Sequence, residues 1–256
     1  ISIGINLESQ LLAIQKFLLK EKKTKTVLLY PDDKNSQYIE QELRKYNFKV
    51  NKKFKYTPSQ EVLTGQLEKL TNYNQRKRNL EIRKKVLEKK DDIKSKRELE
   101  YLEQKYTLGK VNFDSIIILD FGNNLKSVIS TLIFQDVNQN DVVFTTLNQW
   151  FDVSLFNENS LKTLYFPSVN YRNYLNFKKS YKKNFDLDTQ EIALLTYDAL
   201  GLIYYVWRNN DKKITVNDFN FKKNVKGKIG NFKLQNRKII QELEMYKTDS
   251  GKFKKY

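Results

Sequence analysis

The chain contains no cysteine and no histidine. The first absence rules out disulfides and thiolate metal sites, and it leaves the redox compartment undetermined. The second removes the usual general base, the commonest metal ligand and every Ser-His or Cys-His catalytic pairing. With 8 glycines and 3 prolines in 256 residues, there is no room for a low-complexity linker or a collagen-like tract. No apolar run approaches the roughly 18–20 residues that a membrane helix needs. No signal peptide is visible, and Ile1 opens on what reads as mid-domain sequence. The expectation is an excised piece, with any secretory signal or lipoprotein anchor lying upstream.

Hydrophobic residues make up 39% of the chain and aromatics 13%, enough for a globular core. The formal net charge of +17 favours anionic partners. The lysines are spread along the whole chain, however, and the abundance of Lys, Asn and Ile also reads as the mark of an AT-rich genome. The best basic-aromatic stretch, Phe48–Tyr56, alternates with period two and reads as a strand with one wet lysine face. There is no RNA-binding aromatic signature, zinc-finger spacing or recognition helix, so no specific nucleic-acid partner is expected.

What is present is a strand, helix, strand rhythm. Phe113–Leu119 and Val142–Leu147 are short and apolar on both faces, and Asn124–Phe134 between them spaces its apolar residues as one helix face does. That is a βαβ unit of a parallel sheet. Upstream, Val27–Tyr30 reads as a buried strand, Gln37–Tyr46 as a helix capped by Asn35 or Ser36, and Val50–Tyr56 as a strand. The strands at 27, 116 and 142 should therefore lie side by side in one direction. Parallel sheets place working loops at the carboxyl ends of their strands, here Asp120–Asn124 and Leu147–Asp152.

Thr57–Lys105 breaks the rhythm with near-heptad leucines among Lys, Arg and Glu. It reads as an inserted charged helical hairpin turning near Asp91–Ser95. After the strand Thr163–Val169 come helices over Tyr171–Phe185 and Thr189–Arg208, the second thickly apolar and expected to be central. Gly227, Gly230 and Gly251 then punctuate alternating strands, Phe232–Leu234 and Ile239–Tyr246, in a small antiparallel tail.

The segments VLLYPDDKNSQY, SIIILDFGNNLKSVI, VVFTTLNQWF and EIALLTYDALGLIYYVW, with the closing GKIGNFKLQNRKII, resemble in order and spacing the type I periplasmic-binding-protein-like family. This is the Leu/Ile/Val-binding, or Venus flytrap, fold. Within it the chain is most similar to the penicillin-binding protein activators, through the Arg-rich TNYNQRKRNLEIRKK insertion, the TLGKVNFD approach and the LKTLYFPSV strand. The resemblance implies a crossover over 1–9, a second lobe over 10–163 carrying the insertion at 58–106, and a crossover with part of the first lobe over 164–226. Closing strands would follow over 227–256, leaving the first lobe incomplete. It also implies a periplasmic or cell-envelope location, no catalysis and no cofactor.

By position at strand ends, Tyr30, Asp32, Asp33, Asp120, Asn123, Asn124, Trp150 and Phe151 are the candidates for a ligand cleft. The aspartates could meet a cation and the aromatics could stack, although helix capping and core burial are the ordinary fates of such residues. Arg76, Arg78, Arg83, Lys84 and Lys85 are the candidates for partner docking on the helical arm. Two readings stay open: an activator that binds a peptidoglycan synthase, and a solute receptor for an amino acid or similar small polar ligand. An enzyme is the weakest reading. Asp120-Phe121-Gly122 has the order of a kinase metal-binding turn, but a chain without histidine has no His-Arg-Asp loop and there is no glycine-rich phosphate loop. A carboxylate metal site on Asp32, Asp33 and Asp120 is the remaining enzymatic option.

Overall fold

Asn6 starts the first helix: its side chain accepts the Ser9 amide at 2.8 Å and so satisfies one orphan donor of α1 (Leu7–Lys20). The computed structural model describes residues 4–158, 161–219, 224–228, 230–235 and 238–256. The opening ISIGIN segment reads from its sequence as a short strand and turn, and the strand part falls largely on residues 1–3, outside the described residues. Next come β1 (Thr26–Pro31), α2 (Ser36–Lys45), β2 (Lys52–Tyr56), α3 (Gln60–Thr71), α4 (Tyr73–Glu88) and α5 (Ile93–Glu103). The chain continues through β3 (Ser115–Ile118), α6 (Gly122–Phe134), β4 (Val143–Thr146), β5 (Tyr165–Ser168), α7 (Tyr171–Phe185) and α8 (Glu191–Asn209). It closes with β6 (Val225–Lys226), β7 (Asn231–Gln235), β8 (Lys238–Gln241), β9 (Glu244–Asp249) and β10 (Lys252–Lys255).

The main sheet has the order β10-β9-β5-β4-β3-β1-β2. Strands β2, β1, β3, β4 and β5 are parallel, with Leu28 paired to Lys53 on one side and Ile117 on the other. The three apolar strands at 27, 116 and 142 lie side by side as their two-faced apolarity demands. Alternation sends Val27, Leu29, Ile116, Ile118 and Phe144 to one face, against Leu63 and Leu67 of α3 and Leu125, Val128, Ile129 and Leu132 of α6. Leu28, Tyr30, Ile117 and Leu119 go to the other, against α1 and α2. Each fully buried side chain of this size contributes about 1.5–3 kcal/mol.

The inserted region departs from a simple hairpin. Asn72 takes a left-handed backbone (φ 53°) and breaks the leucine pattern into two helices. The first, α3, belongs to the sheet layer. Only α4 and α5 form the charged hairpin, turning at residues 89–92, with their own small core of Leu80, Leu87 and Leu102. Periodicity did not reveal the break, because Leu63, Leu67 and Leu70 have the same spacing whether the helix beneath them continues or stops.

Helix α8 is not central. Leu194, Leu202 and Val206 are buried, but Ile192 is 66% exposed, Leu200 61% and Tyr204 58%. The tail also differs from a single expected strand over Ile239–Tyr246. The chain breaks at 242–243, so β8 pairs antiparallel with β7 in a separate three-stranded sheet while β9 and β10 extend the main one. Buried Ile239 and Tyr246 serve different cores, which a run of alternating residues cannot show.

Candidate functional site

The carboxyl ends of β1 to β4 bring a small polar cluster together. Asp120, one residue past Leu119, is 8% exposed, and its carboxylate accepts the Phe121 amide at 2.7 Å and the Tyr56 hydroxyl. Tyr56 is the last residue of β2 and is wholly buried. Burial first, then the Asp120 hydrogen bond and the charges of Asp120 and Asp33, push its hydroxyl far above its ordinary titration range. It is therefore a permanent neutral donor. The Gln149 side-chain amide donates to the carbonyls of Asp120 and Leu147, both at 3.2 Å, and ties the ends of β3 and β4 together. Neither Tyr56 nor Gln149 was named from the sequence. Tyr56 could have been found from strand alternation, which points it to the Asp120 face, whereas Gln149 had no signal beyond its loop.

Asp32 lies beside this cluster through its backbone, its amide donating to the Tyr56 carbonyl at 2.6 Å, while its exposed carboxylate faces Lys55 at 3.5 Å. Asp33 is engaged locally, accepting from the Asn35 amide at 2.8 Å and the Asn35 side chain at 3.2 Å just before α2. Tyr30 is not brought to Asp120. It lies on the opposite sheet face and donates to Glu40 at 3.0 Å. Burial and that hydrogen bond raise its pKa, while the Tyr30 and Lys55 hydrogen bonds lower that of Glu40.

Asn123 and Asn124 are exposed in the first turn of α6, where Asn124 helps line a recess of about 20 Å³ beside Tyr56. Trp150 and Phe151 both have positive φ, 49° and 58°, a tight turn fixed by the Asn148 side chain accepting the Trp150 amide at 3.0 Å. That turn drives Phe151 into the core, 6% exposed, with its ring 4.3 Å from Tyr171. Phe151 is thus a packing residue and not a free stacking platform. Half-buried Trp150 stands 6.2 Å from Tyr174.

Among the described residues there is no group of three or more Asp or Glu able to hold a metal, so the three aspartates do not form the carboxylate site considered above. Also among them, no helix is long and apolar enough to cross a membrane. The strand-end cluster can present one carboxylate oxygen edge and backbone groups to a ligand.

The arm residues separate into two kinds. Arg76 is 5% exposed and donates through Nε to the Gly109 carbonyl and through its two Nη atoms to the carbonyls of Gln135 and Asp136, each at 3.0 Å. It is a staple holding the hairpin to the sheet layer and presents nothing to a partner. Arg83 forms a bidentate pair with Glu98, both bonds 2.7 Å, across α4 and α5. Arg78 and Lys85 are exposed, and Lys84 is half-buried.

No family model matches the chain, and no curated protein matches it. Solved structures do. A periplasmic ligand-binding protein of a branched chain amino acid ABC transporter from Burkholderia xenovorans matches with a TM-score of 0.60 at 8% identity, over 99% of this chain and 64% of that one. The C-domain of LpoA from Haemophilus influenzae, a regulator of PBP1A, matches at 0.53 and 10% identity, over 97% and 65%. LivJ of Streptococcus pneumoniae, solved with isoleucine, matches at 0.51 and 14% identity, over 98% and 64%. The chain spans less than two thirds of the length of each. At such identities the likeness carries the fold, and these neighbours bind ligands or regulate a partner. With its parallel sheet, flanking helices and antiparallel closing strands, the chain has the type I periplasmic-binding-protein-like fold.

Proposed function

We propose that this chain is a non-catalytic domain of the cell envelope that binds and stimulates a peptidoglycan synthase. The observation that carries this reading is the α4–α5 hairpin. It is a projection with its own core, stapled at its base by Arg76 and along its length by Arg83 and Glu98. A sheet core does not need such a projection. Helix α4 has six basic residues against two acidic ones, and its outer ridge interleaves exposed Arg78, Lys85 and Lys89 with Ile82 (56% exposed) and Val86 (42%). Mixed charge and apolar surface held rigidly suits protein docking. The fold shared with the LpoA C-domain supports the same direction.

The triple variant Arg78→Glu, Lys85→Glu, Lys89→Glu is expected to lower affinity for a purified peptidoglycan synthase by roughly tenfold or more, with an unchanged circular dichroism spectrum. Unchanged affinity overturns the docking role. The division into a second lobe and a partial first lobe belongs to the same proposal. The exposed apolar side of α8 is the surface that further layers of the first lobe would cover. The solute-receptor reading is kept for one observation, the TM-score of 0.60 to a ligand-binding protein. A melting temperature raised by a particular amino acid would favour it, and a flat screen would count against it.

A further inference from the structure

A wide concavity among the described residues is at the pole away from the strand-end cluster. It lies between the base of the hairpin and the amino-terminal ends of β1, β3 and β4, and encloses about 540 Å³. Its walls hold three carboxylates, and each is already satisfied from within. Asp114 accepts the amides of Thr24 and Lys25 at 2.9 and 3.0 Å. Asp136 accepts the amides of Tyr106 and Thr107 at 2.9 and 2.6 Å. Asp141 pairs with Lys110 at 3.0 Å. Burial works against ionisation of Asp114, yet the Thr24 and Lys25 amides outweigh it and hold its pKa below the ordinary value. These acids are spent on the fold.

Two cations on the same walls are not. The ammonium groups of Lys25 and Lys105 make no ion pair among the described residues; Lys105 rests 5.3 Å from the centre of the Tyr101 ring. The rim is aromatic and open to solvent. Tyr101 is 60% exposed, and Tyr106, between lining residues Lys105 and Thr107, is 54% exposed and packs 5.0 Å from Phe134, also 54% exposed. The lining carries four cations, Lys25, Arg76, Lys105 and Lys110, against the three carboxylates, so the groove is positive on balance, and its rim offers rigid rings at low entropic cost.

We propose that this groove docks an acidic, aromatic-bearing extended segment of the protein partner, its carboxylates meeting Lys25 and Lys105 and its rings packing on Tyr101, Tyr106 and Phe134. The proposal rests on the partner-binding reading and names the chemistry of the segment bound. It places the contact at the base of the arm, at the amino-terminal ends of β1, β3 and β4 and so remote from Asp120.

The test uses two fluorescein-labelled synthetic hexapeptides, DWEDFE and its amide counterpart NWQNFQ, titrated with the chain at low salt and read by fluorescence anisotropy. The acidic peptide is expected to bind roughly tenfold or more tightly than the amide control. Lys25→Glu with Lys105→Glu should abolish that preference, as should Lys25→Gln with Lys105→Gln if the reversal perturbs folding. Tyr106→Ser should weaken both peptides. The ridge variant at Arg78, Lys85 and Lys89 should leave peptide binding intact. No binding, equal binding of the two peptides, or an acidic preference that survives the lysine changes overturns the proposal. A synthase that binds the wild type and the Lys25/Lys105 variant equally, yet loses the ridge variant, also overturns it while leaving partner docking standing. A wild type that binds the peptide but no synthase leaves the groove standing and removes the synthase reading.

Discussion

Replacing Arg76 with alanine is expected to lower the free energy of unfolding by roughly 3–5 kcal/mol. The guanidinium is buried in the first turn of α4 and donates to three carbonyls in the loops 109 and 135–136, while the Arg76 carbonyl itself accepts the Leu108 amide at 2.9 Å. Burial draws its pKa down, with Asp136 and Tyr73 opposing, and the group stays charged. Truncation leaves three buried or part-buried acceptors without donors, each costing about 1–3 kcal/mol. Arg76→Lys keeps the charge but lacks the planar fork, so it should recover only part of the loss. Urea denaturation reads the effect as a lower midpoint at unchanged slope. A loss below about 1 kcal/mol, the value of an exposed ion pair, contradicts the staple role.

Replacing Phe151 with alanine is expected to cost about 3–5 kcal/mol, the range for a buried phenylalanine. Its ring meets Tyr171 at 4.3 Å, Tyr246 at 5.0 Å, Tyr174 at 5.4 Å, Phe253 at 5.5 Å and Phe166 at 5.7 Å. These rings come from β5, β9, β10 and α7, so Phe151 joins the parallel strands to the antiparallel closure. Thermal or urea unfolding measures the loss. If Phe151 were a ligand platform, alanine would leave the empty protein nearly as stable.

The sheet was legible in the sequence because its signal is local. Two-faced apolar runs at 27, 116 and 142 admit few arrangements other than a central parallel sheet. The helices α6 and α7 were legible from their stripes for the same reason. The site was less legible. Asp120 was found from its place after a strand, but Tyr56, its partner, is 64 residues away and its role depends on which strands are neighbours. Arg76 looked like one more charge in an arginine-rich run. What distinguishes it is three carbonyls presented by loops distant in sequence, which composition and spacing do not encode. Phe151 was misplaced because a left-handed turn at Trp150 and Phe151 reverses the direction that strand-end position suggests. The exposure of α8 could not be anticipated, since an apolar helix reads as buried whatever covers it.

The most direct test of partner docking through the arm and its base is hydrogen–deuterium exchange of the chain with and without a purified peptidoglycan synthase. Slowed exchange over α4, α5 and the loop at 104–113 is the predicted result, with the loops at 31–36, 120–124 and 147–152 unchanged. Slowing confined to those strand-end loops, or none anywhere, would contradict the account.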